Sequence, residues 1–118
     1  MGQLYKYRLR PGYGSDKLLL EFFLNDTDTE FDKILFITLK DINLKVDTVE
    51  DLLMNDEVLM HVSSDKGAFT ISKDIWGFAF IMAENNQPCI DLLDGILSKS
   101  ELFQKEEVDF ENYKSLKI

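Results

Sequence analysis

The sequence predicts an α+β domain, a largely antiparallel sheet of five or six strands with one long helix packed on a face and one short helix. Short apolar or alternating segments, separated by turn residues, recur along the chain and are typical of antiparallel strands. One longer stretch, residues 86–99, has the apolar spacing of a helix that packs on a sheet. The chain of 118 residues is long enough to bury a core as a single domain, 1–118, without a disulfide or a metal.

The first two predicted strands form a hairpin. Residues 3–10 alternate between apolar and basic side chains, which is the pattern of a strand with one solvated face. Pro11 and two nearby glycines interrupt this pattern with strong turn-forming residues. The apolar residues 18–24 are predicted to return as the second strand.

The middle of the chain is predicted to contain a loop, a buried strand and a short helix. Residues 25–32 are the most polar segment and are expected to form a surface loop. Residues 34–39 are rich in branched and aromatic side chains, which favours a buried strand. Residues 48–54 are predicted as the short helix, because Thr48 and Asp51 have the spacing of a weak capping box and the acidic first turn suits the helix dipole.

Two more strand pairings precede the long helix. Residues 57–63 alternate, and the turn residues 65–67 should join them in a hairpin to residues 68–72. The apolar residues 78–82 follow a corner with the only tryptophan, Trp76, which we expect to lie in the core.

The long helix is predicted from about residue 86 to residue 99. Asn85 or Asn86 would cap it, and Pro88 fits the first turn, where a missing N–H breaks no hydrogen bond. Gly95 in its middle indicates either close approach to the sheet or simple tolerance. Residues 102–110 offer one more strand.

Charge is the outlying property of the composition. Twenty-two acidic residues against 13 basic residues give a net charge of -9. This balance argues against nucleic acid and anionic membrane surfaces as ligands and favours a basic protein partner. An acidic surface also serves solubility alone, and that alternative stays open.

The acidic residues best placed for a partner contact fall in two groups. We predict that a loop makes the first contact and that a second group adds to it: Asp26, Asp28, Glu30 and Asp32, then Glu50, Asp51 and Asp56. The loop resembles the opening of an EF-hand, but Phe31 and Ile37 occupy the positions that need glycine and a bidentate glutamate. We therefore predict no metal site of that type, with a looser oxygen-ligand site as the minor alternative.

No residue pattern predicts catalysis or a cofactor. His61 is the only histidine and Cys89 the only cysteine, so a zinc site lacks ligands and a histidine-based catalytic triad must use His61. We expect His61 to be a surface or half-buried strand residue and Cys89 to be a buried thiol. Gly12 and Gly14 lack the other residues of a phosphate-binding loop. The chain is therefore predicted to be non-enzymatic, with no catalytic residue, cofactor or metal.

Two segments of the chain carry a resemblance to a known class of proteins. Ser72–Ile81 and, beyond the long helix, Glu106–Tyr113 are similar to bacterial immunity proteins of toxin systems such as contact-dependent inhibition. The resemblance covers the C-terminal third and transfers no functional residue. It implies a bacterial, cytoplasmic inhibitor whose acidic side chains occlude the basic substrate site of a cognate toxin nuclease.

We therefore predict a non-enzymatic protein-binding module of the immunity type. The alternative is a small ligand-binding domain or enzyme with a pocket between sheet and helix. A third interpretation is a subunit of a homo-oligomer, assembled through a strand edge or the Trp76 corner.

Overall fold

Seven strands and two α-helices form the described part of the chain. The computed structural model describes residues 5–12, 17–24, 30–52, 57–74, 77–83 and 85–109. The elements in chain order are β1 (Tyr5–Pro11), β2 (Leu18–Phe23), α1 (Phe31–Thr38), a 3-10 helix (Lys40–Ile42), β3 (Lys45–Leu52), β4 (Glu57–Ser63), β5 (Phe69–Asp74), β6 (Phe78–Met82), α2 (Gln87–Ser98) and β7 (Phe103–Lys105).

The strands form one sheet in the order β3-β4-β5-β6-β2-β1-β7. Every pairing is antiparallel except the one between β1 and β7, which is parallel. The α+β class and the largely antiparallel sheet are confirmed. The predicted count of five or six strands is wrong, since the described sheet has seven. The additional strand offered at residues 102–110 is present as β7, and residues 45–52 form a strand that was not predicted.

Both α-helices lie on one face of the sheet, which we call the helix-covered face. The Phe31 ring of α1 packs 5.3 Å from the Tyr5 ring and 5.1 Å from the Phe22 ring. The Tyr7 hydroxyl donates to the Asp94 carboxylate of α2 at 2.9 Å. The largest side chains buried between the sheet and the helices form the core, so the sheet and its helices are two layers.

The predicted buried strand at residues 34–39 is wrong, since residues 34–38 belong to α1 and Leu39 is the C-cap of this helix. Phe31, Leu35 and Leu39 are buried at a spacing of four residues, whereas Ile37 is 51% exposed. A short apolar run fits either element, and here the helix lets three side chains enter the core of the helix-covered face together.

The predicted short helix at residues 48–54 is also wrong, because residues 45–52 form β3. Thr48 and Val49 pair with His61 and Met60 of β4. Pairing with a neighbouring strand outweighs the local capping signal of Thr48, which was weak. Residues 53–56 lie outside the described residues.

The remaining predicted elements agree with the structure. The β1–β2 hairpin is present, and Gly67 has a φ of 107° in the β4–β5 turn, which favours glycine. The long helix α2 is confirmed with Asn86 at its N-cap position, although the Asn86 amide donates to the Lys66 carbonyl instead of capping. A Cβ on Gly95 would meet no atom within 4 Å, so tolerance explains this glycine. Trp76 lies outside the described residues.

Among the helices that the structure describes, none has the length and apolar character needed to cross a membrane.

Candidate functional site

Strand β3 forms one edge of the sheet, and the side chains of residues 45–51 are all exposed. We call these residues the acidic edge, since they carry three carboxylates and one ammonium group: Asp47, Glu50, Asp51 and Lys45. Val46 and Val49 are 38% and 58% exposed, although valine is usually buried. An edge strand also directs backbone N–H and C=O groups away from the sheet. The acidic edge therefore combines charge, apolar surface and hydrogen-bonding backbone.

The pairing of β3 with β4 distributes the acidic edge over both faces of the sheet. A bulge between Val46 and Thr48 inserts Asp47 into the strand. Beyond the bulge, Glu50 lies on the same face as His61, and Asp51 lies on the helix-covered face. A partner that meets this strand edge-on would contact both carboxylates.

Glu50 is joined to two other side chains across three strands. Its carboxylate lies 2.6 Å from His61 Nε2 of β4, and His61 Nδ1 lies 3.3 Å from the Thr70 hydroxyl of β5. The imidazole and the carboxylate are 41% and 54% exposed. The sequence predicted His61 as a surface or half-buried strand residue, which is confirmed. Its contacts depend on strand register, which the sequence does not fix.

The predicted loop contact is described only at its end. Glu30 is exposed at the N-cap position of α1. Asp32 lies in the first turn of α1 and accepts a hydrogen bond from Lys73 Nζ at 3.0 Å, so it belongs to a helix instead of a loop. Asp26, Asp28 and Asp56 lie outside the described residues.

Of the predicted contact residues, Glu50 and Asp51 share one exposed strand. Since α1 lies on the helix-covered face, Asp32 and Glu50 lie on opposite sides of the sheet. The sequence prediction missed Val46 and Val49, because the predicted short helix left the edge of the sheet unassigned. The β-branched residues Val46, Thr48 and Val49 were the signal that favoured a strand.

The face opposite the helices, which we call the open face, carries an aromatic strip on its central strands. The Phe23 and Phe78 rings lie 5.7 Å apart, and the Arg8 guanidinium lies 4.8 Å from the Phe23 ring centroid. Beside them, Arg10 Nε donates to Glu21 at 2.9 Å in a buried ion pair. These paired arginines account for the basic character of β1.

A cavity of about 650 Å³ lies on the open face at the end of β4, β5 and β6. Its floor is the cross-strand row His61, Thr70 and Met82. Asp47 lines one side, and Ala83, Asn85 and Asn86 line the other. This cavity differs in position from the alternative pocket between sheet and helix, a space that contains the buried side chains of the core.

The remaining candidate chemistry is structural. Cys89 is 2% exposed in α2, and burial raises the pKa of its thiol, so the predicted buried thiol is confirmed. Among the described residues, no group of three or more His, Cys, Asp and Glu side chains is arranged to hold a metal ion.

Comparison with known proteins finds no relative of this chain. No protein-family model matches it, and neither a curated protein nor a solved structure matches it significantly.

Proposed function

We propose that this protein is a non-enzymatic protein-binding module that inhibits a basic partner, in the manner of the immunity proteins of bacterial toxin systems. The observation that carries the proposal is the acidic edge, an exposed edge strand with three carboxylates and two exposed valines. The net charge of -9 means that the whole chain, and not only the acidic edge, favours a basic protein partner, because complementary potentials speed association.

The charges of the acidic edge have a second use. Charged side chains and bulges on edge strands prevent sheets from pairing with one another, so Asp47 and its neighbours would protect the edge even without a partner. The exposed Val46 and Val49 distinguish the two uses, because protection against self-pairing does not require apolar side chains. Burying them against a partner would add apolar contact to the charge pairing.

The mechanism of inhibition follows from the substrate of the proposed partner. A nuclease binds the phosphate backbone through lysine and arginine side chains. Carboxylates such as Glu50 and Asp51 can pair with those side chains and exclude the nucleic acid. The outward backbone groups of β3 can add a strand pairing, which would fix the orientation of the complex.

The test begins with capture of partners from a lysate of the native organism at low and high salt. The retained protein is then purified, and its nuclease activity is measured with and without this protein. We expect a basic nuclease that is bound stoichiometrically and inhibited. Capture of a protein whose activity is unaffected, or an empty bait while the nuclease is shown to be expressed, would contradict the proposal.

Charge reversal locates the contact. Glu50→Lys with Asp51→Lys should weaken inhibition at least about tenfold, since two charge pairs become repulsive. Asp41→Lys with Asp91→Lys is the matched control, because both residues are exposed acids outside the acidic edge and the change in net charge is equal. An equal effect of the two double variants would mean that the acidic edge is not the contact surface.

A further inference from the structure

The lining of the cavity on the open face combines hydrogen-bond acceptors with apolar surface. Leu59 and Met82 supply apolar surface, and Asp47 supplies a carboxylate that also accepts from the Ser63 hydroxyl at 3.2 Å. A volume of about 650 Å³ lies within the range of pockets that hold small organic ligands, roughly 300–1,000 Å³. The lining therefore suits a compact ligand with an apolar body and one polar end.

The orientation of His61 sets the hydrogen-bonding role of Thr70 in this lining. A carboxylate can only accept, so the short contact with Glu50 places the proton of the neutral imidazole on Nε2. Nδ1 is then an acceptor, and the Thr70 hydroxyl at 3.3 Å can donate to it. With its proton engaged, the Thr70 oxygen accepts as well, and the polar end of a ligand must donate.

An anionic ligand does not fit this lining. The start of α2 adjoins the cavity at Asn86, and helix N-termini ordinarily attract anions. Here Pro88 has no N–H, and the N–H groups of Asn86 and Cys89 already donate to the carbonyls of Ala83 and Asn86. The described lining contains no lysine or arginine.

We infer that this cavity binds a small organic cation, a protonated amine attached to an apolar body. The ammonium group donates to the Asp47 carboxylate and to the Thr70 hydroxyl oxygen, while the apolar body covers Leu59 and Met82. Glu50 acts through His61 as a positioning residue, because it fixes which ring nitrogen accepts. This inference is independent of the proposed partner, since the ligand would bind to the isolated chain.

The test uses three probes of similar size in titrations of the full chain followed by amide NMR. They are 2-phenylethylamine, the neutral 2-phenylethanol and the anionic 3-phenylpropionate. We expect the amine to give saturable shifts at Thr70, Met82 and Asn85. The alcohol should bind up to about fivefold more weakly, because an exposed ion pair contributes up to about that factor. The anion should not bind.

Two substitutions and a control make the result specific. Asp47→Asn should weaken binding of the amine about fivefold and leave binding of the alcohol unchanged. Ala68→Phe, at an exposed position that lines the cavity, should abolish binding of both by filling the space. Asp91→Asn, an exposed acid on α2, should change neither.

Three results would overturn the inference. The first is the absence of saturable shifts at the cavity residues with the amine. The second is equal binding of amine, alcohol and anion, because the cavity would then not select a cation. The third is a loss of amine affinity in Asp91→Asn that matches the loss in Asp47→Asn, because a non-specific effect of net charge would then explain the binding.

Discussion

The hydroxyl group of Tyr7 joins the first strand of the sheet to its longest helix. It is fully buried and donates to Asp94 of α2, whose other carboxylate oxygen accepts from Lys105 of β7 at 2.9 Å. Burial, and then the hydrogen bond and charge of Asp94, raise the pKa of Tyr7 well above its usual value near 10. One side chain thus links β1, α2 and, through Asp94, β7.

Tyr7→Phe should lower the free energy of unfolding by about 1 kcal/mol at neutral pH, the usual net value of one hydrogen bond. Because the pKa of Tyr7 is raised in the folded state, its stabilising effect is fully present below the pKa of the unfolded chain. It is lost as the pH rises above about 10, by about 1.4 kcal/mol per pH unit.

Urea unfolding of both proteins from about pH 7 to about pH 11 measures this difference. The other titrating groups occur in both proteins, so their effects cancel in the comparison. We expect the stability gap to narrow above about pH 10. A gap that stays constant over this range would show that Tyr7 ionises as readily in the folded chain as in the unfolded chain.

Truncation of single side chains can test the secondary structure of α1 directly. Leu35 and Leu39 are buried and Ile37 is exposed, as the period of a helix requires. In a strand these three alternate residues would share one face. The two secondary structures therefore predict different consequences of truncating Leu35 and Ile37.

Leu35→Ala should lower the free energy of unfolding by about 2–5 kcal/mol, because it removes a fully buried side chain and leaves a cavity. Ile37→Ala is the matched control and should change it by less than about 0.5 kcal/mol. Denaturant unfolding of the two variants and of the parent chain decides between the helix and the strand. Similar large losses for both variants would favour the strand.

The elements that the sequence predicted correctly are those with a local signal. Residues 57–63 alternate, and Gly67 ends a turn, so β4 and its hairpin required no knowledge of the rest of the fold. The predictions for residues 34–39 and 48–54 were wrong because the secondary structure of these segments depends on tertiary contacts. Core contacts on the helix-covered face favoured a helix at the first, and pairing with β4 favoured a strand at the second.

Across the whole molecule, protection of the backbone should fall from the centre of the sheet to the acidic edge. Strand β6 lies between β5 and β2, and its residues Ala79 and Ile81 have no exposed surface. Strand β3 pairs with β4 alone among the described strands. Amides that point away from a paired neighbour exchange without unfolding of the sheet.

Amide hydrogen exchange should be slowest in β6 and in the part of β2 that pairs with it. In β3 the amides directed toward β4 should be protected and the intervening ones should exchange rapidly. Exchange followed residue by residue by NMR provides this measurement. Slow exchange along the whole of β3 would instead indicate that a second chain covers the acidic edge, which is the homo-oligomer that the sequence left open.

The candidate site was predictable from the sequence only in its charge. The count of acids favoured a basic partner, and Glu50 and Asp51 were among the residues named. Their place on an edge strand, beside two exposed valines, follows from strand order, which no local pattern encodes. The cavity was even less predictable from the sequence, because its floor joins His61, Thr70 and Met82 from three strands whose register sets their spacing.

The parallel pairing of β1 with β7 has a consequence for synthesis on the ribosome. The β1–β2 hairpin leaves the exit tunnel before its two flanking strands, β6 and β7, which are translated only after the β3–β5 meander and after α2, respectively. Until then both edges of the hairpin lack their native neighbours, and unpaired strand edges are the part of a nascent chain most prone to wrong association. Residues 103–105 form the last described strand of the sheet, so the time that the ribosome takes to translate from β2 to β7 sets how long the β1 edge lacks its native neighbour.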